Sequence, residues 1–359
     1  MRMQATGRDR ARNHSRYSRA RLTPTAAPVS WLRQRLVTGS ITTLDQLRTA
    51  LERAGCFAHR PAAAVGSLVA HILVSGALFG ASAHAYGAAA PVLFVAASLL
   101  FYRIGFLMHD AAHGAVFADP ANNRRWAAVT AGVLGDFPSG WRHGHQRHHA
   151  APNVRGRDLD QSERWDPDRR YHSLAGAFVG VLLLSRIRGV YLPKTLLLLG
   201  LRDGYFCHRY HRARFRAELA GALAGVGAQI VFLTCCFGAW GSAAFLAHTC
   251  IGMVYLNSVF AGNHYDLDSF DEDAARAIPF ANLQTRTTRN YRGGALTRFI
   301  FGGLEHQIEH HLFPTMPRRG LVRAAPLVRA FCAARGLPYR EERFVDCIRG
   351  VLRFHLEPG

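Results

Sequence analysis

The chain has 359 residues, 49% of them hydrophobic, and its 44 Lys+Arg against 24 Asp+Glu leave a formal charge of +20. Apolar content and positive charge in such surplus exclude an evenly mixed surface and require an anionic partner, either nucleic acid or the inner face of a membrane. The seven cysteines are odd in number and contain no CxxC pair, which excludes a disulfide framework and a zinc knuckle.

Residues 1–39 read as a basic disordered arm: nine arginines and one acid, Asp9, precede residue 36, with no apolar core of a signal peptide. Residues 40–60 hold a short amphipathic helix, ITTLDQLRTALERAG, with Ser40 as cap, Leu44, Leu47 and Leu51 on one face, and Gly55 as terminator. Four apolar runs follow, at about 62–86, 90–109, 218–239 and 242–261, each near the ~20 residues that one bilayer crossing needs. The links between the first two runs and between the last two carry no arginine, whereas the flanking regions are rich in it. By the positive-inside asymmetry this predicts four crossings with residues 110–217 and everything after 261 on the cytosolic side.

Between the second and third runs, residues 174–201 are apolar but are cut by Arg186, Arg188, Pro193 and Lys194 into pieces too short to span. They are expected as two helices lying at the interface. Arg202–Arg216 interleaves arginines with aromatics, as a headgroup-level belt does. Its position between apolar helices argues for lipid over nucleic acid, with Arg209, Arg212, Arg214 and Arg216 available to an acyl carrier or headgroup. Residues 325–359 are expected as a soluble cytosolic tail, helical through Leu327, Val328 and Phe331.

Three histidine clusters punctuate this plan. His109 and His113 stand one helical turn apart in HDAAH at the end of the second run. His145, His148 and His149 follow i, i+3, i+4 in HQRHH, and Gln307, His310 and His311 do the same in QIEHH. His264, just beyond the fourth run, adds a donor. About eight neutral nitrogens on one membrane face exceed the roughly four ligands of a tetrahedral zinc and fit two metal ions better. Imidazole suits iron, copper or zinc, so ligand type alone does not choose. A redox metal beside an apolar cavity suits attack on a long hydrocarbon, for which zinc has no capacity. Read alone, HDAAH also approaches the zinc-protease HExxH pattern with a shorter acid, but that leaves two clusters unexplained.

HDAAH, HQRHH and QIEHH, in this order and separated by apolar spans, resemble the three histidine boxes of the membrane fatty acid desaturase superfamily. HHLFPTMPR, QTRTTRN, Asn263-His264 and HHAAPN are similar to its front-end branch, with the likeness running over roughly residues 60–330. The resemblance implies an all-α integral membrane fold: four transmembrane helices and a cytosolic helical cap holding a histidine-rich di-metal site, with 61–324 as the desaturase domain. It implies two non-haem iron ions, dioxygen as co-substrate and removal of two hydrogens from an acyl chain. The implied ligands are His109, His113, His145, His148, His149, His264, Gln307, His310 and His311. Gln307 stands where the wider superfamily has histidine, and His306 beside it leaves open which of the two faces the metal. Asp110, Asn263 and Asp266, with His306, are expected around the ligands as orienting partners. No HPGG haem motif of a fused cytochrome b-type domain occurs, so electrons are expected from a separate ferredoxin or cytochrome with its reductase. The acyl group is expected on a lipid, coenzyme A or an acyl carrier protein. A lipid hydroxylase on the same centre, or a membrane metal-binding or transport protein, are the alternatives.

Overall fold

The computed structural model describes residues 41–158, 160, 171–183 and 212–356. The basic arm up to residue 40, the interval 184–211 with Arg209, and residues 357–359 lie outside the described residues. The first element, α1 (Leu44–Arg53), begins later than the sequence pattern suggests. Its cap is Thr43, whose hydroxyl accepts from Gln46 N while Gln46 Oε1 accepts from Thr43 N, and Gly55 closes it in the left-handed region at φ 69°. Leu47, Ala50 and Leu51 are its buried face.

Then come α2 (Pro61–His84), α3 (Ala89–Tyr102) and α4 (Ile104–Ala112), the last two forming one apolar stretch with only a slight break at Arg103. Two more helices, α5 (Pro120–Leu134) and α6 (Pro138–Ala150), each begin with proline at the first helical position, where its missing N–H costs no bond. A short α7 (Leu174–Ala177) widens into a π-turn over Phe178–Leu183 and packs on the later helix that carries Asn257, whose Nδ2 donates to Leu182 O. Of the interfacial helices expected over 174–201, this first part alone is described.

Among the described residues, three stretches are long and apolar enough to cross a membrane: Pro61–His84, Ala89–Ala112 and Arg216–Ala261. The third, 46 residues, is not one rod. It comprises α8 (Arg212–Phe237) and α9 (Gly241–Ala261), which pack on each other after a 3-10 turn, Gly238–Trp240, entered through Gly238 at φ 58°. Leu73, Val92, Leu223, Val231 and Leu246 stand exposed on these helices, a surface suited to hydrocarbon. The apolar half of α5, which no span pattern flagged, lies against α8. There a Cβ on Gly225 would sit 1.7 Å from Gly132 O, so only glycine permits the approach, and Gln229 Nε2 donates to Val133 O.

The C-terminal part is a cluster of short elements: α10 (Glu272–Arg276), α11 (Phe280–Thr287), β1 (Asn290–Tyr291), α12 (Ala295–Phe301), α13 (Gln307–Leu312), α14 (Arg318–Ala334), β2 (Glu341–Glu342) and α15 (Phe344–Phe354). β1 and β2 pair in parallel, Asn290 opposite Glu341. The boundary drawn at residue 324 falls inside α14. Leu327, Val328 and Phe331 are not an independent tail but join Leu47, Leu51, Ile308 and Leu312 in one core, which clamps α1 and α14 onto α13.

Candidate metal centre

Each histidine cluster is delivered by a different device. α4 ends on His109, Asp110, Ala111 and Ala112, with His113 as its C-cap and Gly114 turning the chain at φ 79°. α6 carries His145, His148 and His149 in its last two turns. α13 starts at Gln307 and lasts six residues. Gly302 and Gly303, at φ 60° and 100°, bring the chain to it so close to α4 that a Cβ on Gly302 would meet the Phe106 ring at 2.2 Å. His264 stands three residues beyond the end of α9.

The tertiary fold brings the eight histidines together in two groups. His109, His113, His145, His149 and His310 present ligand atoms within 4.8 Å of one another, and His148, His264 and His311 form a second such group. The groups touch, since the His149 and His311 rings stack at 4.2 Å. All are buried except His113, which is half-buried.

Hydrogen bonds decide which nitrogen of each ring is available. His148 Nδ1 lies 2.8 Å from Asp158 Oδ2, His264 Nδ1 lies 3.0 Å from Thr287 O, and His311 Nδ1 lies 2.8 Å from Gln284 Oε1, whose amide nitrogen in turn donates to His149 O. An acceptor at Nδ1 requires the proton there, which in the neutral ring, the form that binds metal, leaves Nε2 of each with a lone pair aimed at the shared centre. His148 Nε2 and His264 Nε2 then face each other at 3.3 Å. Converging lone pairs repel unless a cation lies between them, so the donor set fits a metal ion on its own chemistry. In the other group His145 Nδ1 lies 2.6 Å from Asp160 Oδ2, and His149 Nε2 lies 3.1 Å from both His145 Nε2 and His310 Nε2. His109 Nδ1 and Nε2, His113 Nε2 and His311 Nε2 are buried without a hydrogen-bond partner, a cost of ~1–3 kcal/mol each that coordination through one nitrogen of each ring would reduce.

Burial also sets the protonation. It pushes His113, His145, His149, His310 and His311 well below the ordinary imidazole value, and the neighbouring rings add to the effect. These imidazoles are therefore neutral at pH 7, the form that binds metal. At His148 burial acts the same way, but the Asp158 carboxylate outweighs it and raises the value.

Gln307 lies with the second group: its amide nitrogen is 3.1 Å from His264 Nε2, and its buried Oε1 has no partner. Exchanging the two amide atoms would present the oxygen to the same point. His306 points elsewhere, toward Glu305 at 3.7 Å and Glu309 at 3.9 Å, and burial lowers its imidazole to about 4. Asp110 approaches His109 Nδ1 only to 3.6 Å and bonds instead to Arg318 Nε at 2.7 Å. Asp266 pairs with Arg289 at 2.5 Å and touches none of the clustered rings. Asn263 donates to Leu304 O at 3.0 Å, tying the end of α9 to the segment before α13. Arg212 and Arg214 lie on α8, and Arg216 is exposed on it.

The carboxylates that do reach the rings, Asp158 and Asp160, were not singled out by sequence reasoning. They lie in a loop that folds back through Gly156 (φ 74°) and Asn153, a buried non-glycine residue at φ 54°. Asn153 holds the loop together: its N–H donates to Asp158 Oδ2, and its side chain donates to His264 O and Asp268 O. Asparagine tolerates this conformation better than most residues. The available signal was the alternating acids of Arg157-Asp158-Leu159-Asp160 so soon after HHAAPN. Glu309 was missed as well. It is buried behind the donors, where burial pushes its carboxyl up to about 7.

Residues 82–343 match the family model described as "Fatty acid desaturase". Curated relatives include a Delta(5) fatty acid desaturase, fat-4, of Caenorhabditis elegans, 31% identical over 66% of this chain and 56% of the relative. A Delta(8)-fatty-acid desaturase of Euglena gracilis is 28% identical over 69% of this chain and 63% of its own length. An acyl-lipid 8-desaturase of Rebecca salina is 31% identical over 70% and 60%. The chain thus spans about three-fifths of the length of these relatives. With the family match over most of its length and the three histidine motifs folded into one centre, this chain belongs to the fatty acid desaturase family.

Proposed function

We propose that the chain is an oxygen-dependent fatty acyl desaturase, with one iron ion held by His109, His113, His145, His149 and His310 and a second by His148, His264 and His311 with Gln307. Two irons bound there would supply the activation of dioxygen needed to take two hydrogens from an unactivated acyl chain. The observation that carries this reading is the convergence of three sequence-distant motifs and His264, with Nδ1 protons tied to Asp158, Thr287 and Gln284. The protein's own part is orientation and exclusion of water. Asp158 and Asp160 fix the tautomers, and burial keeps the rings neutral. A small, partly open cleft beside His109 is walled largely by Gly105, Met108, Trp141, Leu256 and Phe260, the mostly apolar surroundings that a hydrocarbon would require.

In this reading α2, α3–α4, α8 and α9 are four crossings, the uncharged turns lie on the far side, and the histidines face the cytosol. The substrate is an acyl chain on a lipid, coenzyme A or an acyl carrier protein. Arg209, Arg212, Arg214 and Arg216 meet the headgroup or carrier, and electrons come from a separate ferredoxin or cytochrome with its reductase. The Delta(5) and Delta(8) relatives support a front-end position for the new double bond.

The test is to express the full chain in a host and analyse total acyl chains by gas chromatography with mass spectrometry, with metal analysis of the purified protein. New double bonds, about two irons per chain, and loss of both in His148→Ala and His310→Ala are expected. A folded protein that takes up zinc only, or shows no turnover with dioxygen and reductant, overturns the reading. A product that gains oxygen reassigns it to hydroxylation.

A further inference from the structure

α13 carries three of the proposed donors on six residues, far below the ~12–15 at which an isolated helix is even marginally stable. The direction of its imidazoles is therefore set by what grips its other side. At about 100° per residue, Glu309 projects roughly 150° away from the middle of the Gln307, His310 and His311 face. There both of its oxygens are engaged: Tyr339 Oη donates to Oε1 at 2.7 Å and Asn290 Nδ2 donates to Oε2 at 2.9 Å. The same Asn290 accepts from Ile308 N at 2.8 Å, and its Nδ2 also lies 3.0 Å from Tyr339 Oη. Tyr339 is held in turn by the strand pairing of β2 with β1, which Asn290 N→Arg340 O extends, and by Arg329, whose guanidinium stands 4.9 Å over its ring. A segment outside every histidine motif thus reaches the back of the third one.

We propose that Tyr339 is a positioning residue for the metal centre: its hydroxyl, through Glu309, sets the rotation of α13 and so the aim of Gln307, His310 and His311. The inference rests on the di-iron reading above. Without that hydroxyl one oxygen of a buried carboxyl loses its donor, and the helix turns to seek another, which displaces all three donors together.

The experiment compares the parent chain, Tyr339→Phe and Arg329→Ala, each iron-loaded in lipid nanodiscs. It records iron release into excess chelator, the thermal midpoint of the iron-free form, and kcat and KM separately. R329A loosens the same segment but leaves the hydroxyl in place. Y339F is expected to release iron about tenfold faster, the lower part of the range for groups that orient ligands, with kcat reduced and KM unchanged. R329A is expected to release iron like the parent even where its midpoint falls. Unaltered release in a folded Y339F, or release that rises equally in R329A, overturns the proposal. Should Y339F not fold, Glu309→Gln reads the same contact by the same assay, and unaltered release again overturns it. A parent that binds no iron overturns the di-iron reading and this proposal together. A parent with two irons and an indifferent Y339F removes only the role of Tyr339.

Discussion

Replacing Asp158 by asparagine keeps the shape and removes the charge, and the structure allows its effect to be sized. Asp158 is buried; its Oδ2 receives His148 Nδ1 and Asn153 N, both at 2.8 Å, and its Oδ1 receives Asp160 N at 3.0 Å. An asparagine has a single acceptor oxygen, so its amide N–H must face one of these N–H donors. Exchanging a charged for a neutral hydrogen bond costs about 1 kcal/mol, and the donor conflict at this buried site adds about as much. Roughly 2 kcal/mol corresponds to an approximately 30-fold weaker hold on iron, since each 1.4 kcal/mol is tenfold. Asp160, bonded to His145 at 2.6 Å but with 31% of its side chain exposed, has water as a substitute partner. Asp160→Asn is therefore expected to cost only about threefold. Competition of the iron-loaded variants against a graded chelator series, with iron measured by plasma emission, gives both numbers. Parent-like retention in Asp158→Asn, or a larger loss in Asp160→Asn, would refute the claim that buried carboxylates tune this centre.

Three further outcomes are expected. Gly225→Leu should abolish folded, monodisperse protein, because its side chain would enter the α5 backbone at Gly132 O, whereas Gly227→Ala, with open space at its Cβ, should be neutral; size-exclusion chromatography decides, and a folded Gly225→Leu would contradict the crossing. In the metal-free protein the histidines with lowered values take up protons in the unfolded chain from about pH 6.5 down, while the folded chain does not. Stability should thus be full above about pH 6.5 and fall on acidification, and a thermal midpoint flat from pH 7 to 5 would contradict it. Cys332 and Cys347, whose burial raises their thiols to about 12, should resist N-ethylmaleimide at pH 8 until the chain is denatured, and mass spectrometry of peptides labelled in the native state checks this.

Much of the site can be read from spacing. Residues one helical turn apart share a face wherever the helix lies, so His109 with His113, and His145 with His148 and His149, were visible as donor clusters before any fold was known. The apolar runs were equally plain, because a continuous low-charge stretch needs no partner to be recognised. The groups that orient the rings were not. Asp158 reaches His148 through a loop turned at Asn153 and Gly156, and Gln284 reaches His311 across 27 residues. Neither has a period to betray it.

The same division holds for the chain as a whole. Composition and helical periodicity are local properties, and they determine by themselves that this is a helical protein with apolar helices long enough for a membrane and donors grouped in three places. Which nitrogen of each imidazole is free, that Gln307 rather than His306 turns toward His264, and that the supposed tail from residue 325 grips the third motif through Tyr339 and Glu309 depend on partners far apart in the chain. Those were decided only when the tertiary structure closed around α13, because a six-residue helix has no orientation of its own until something packs against its back.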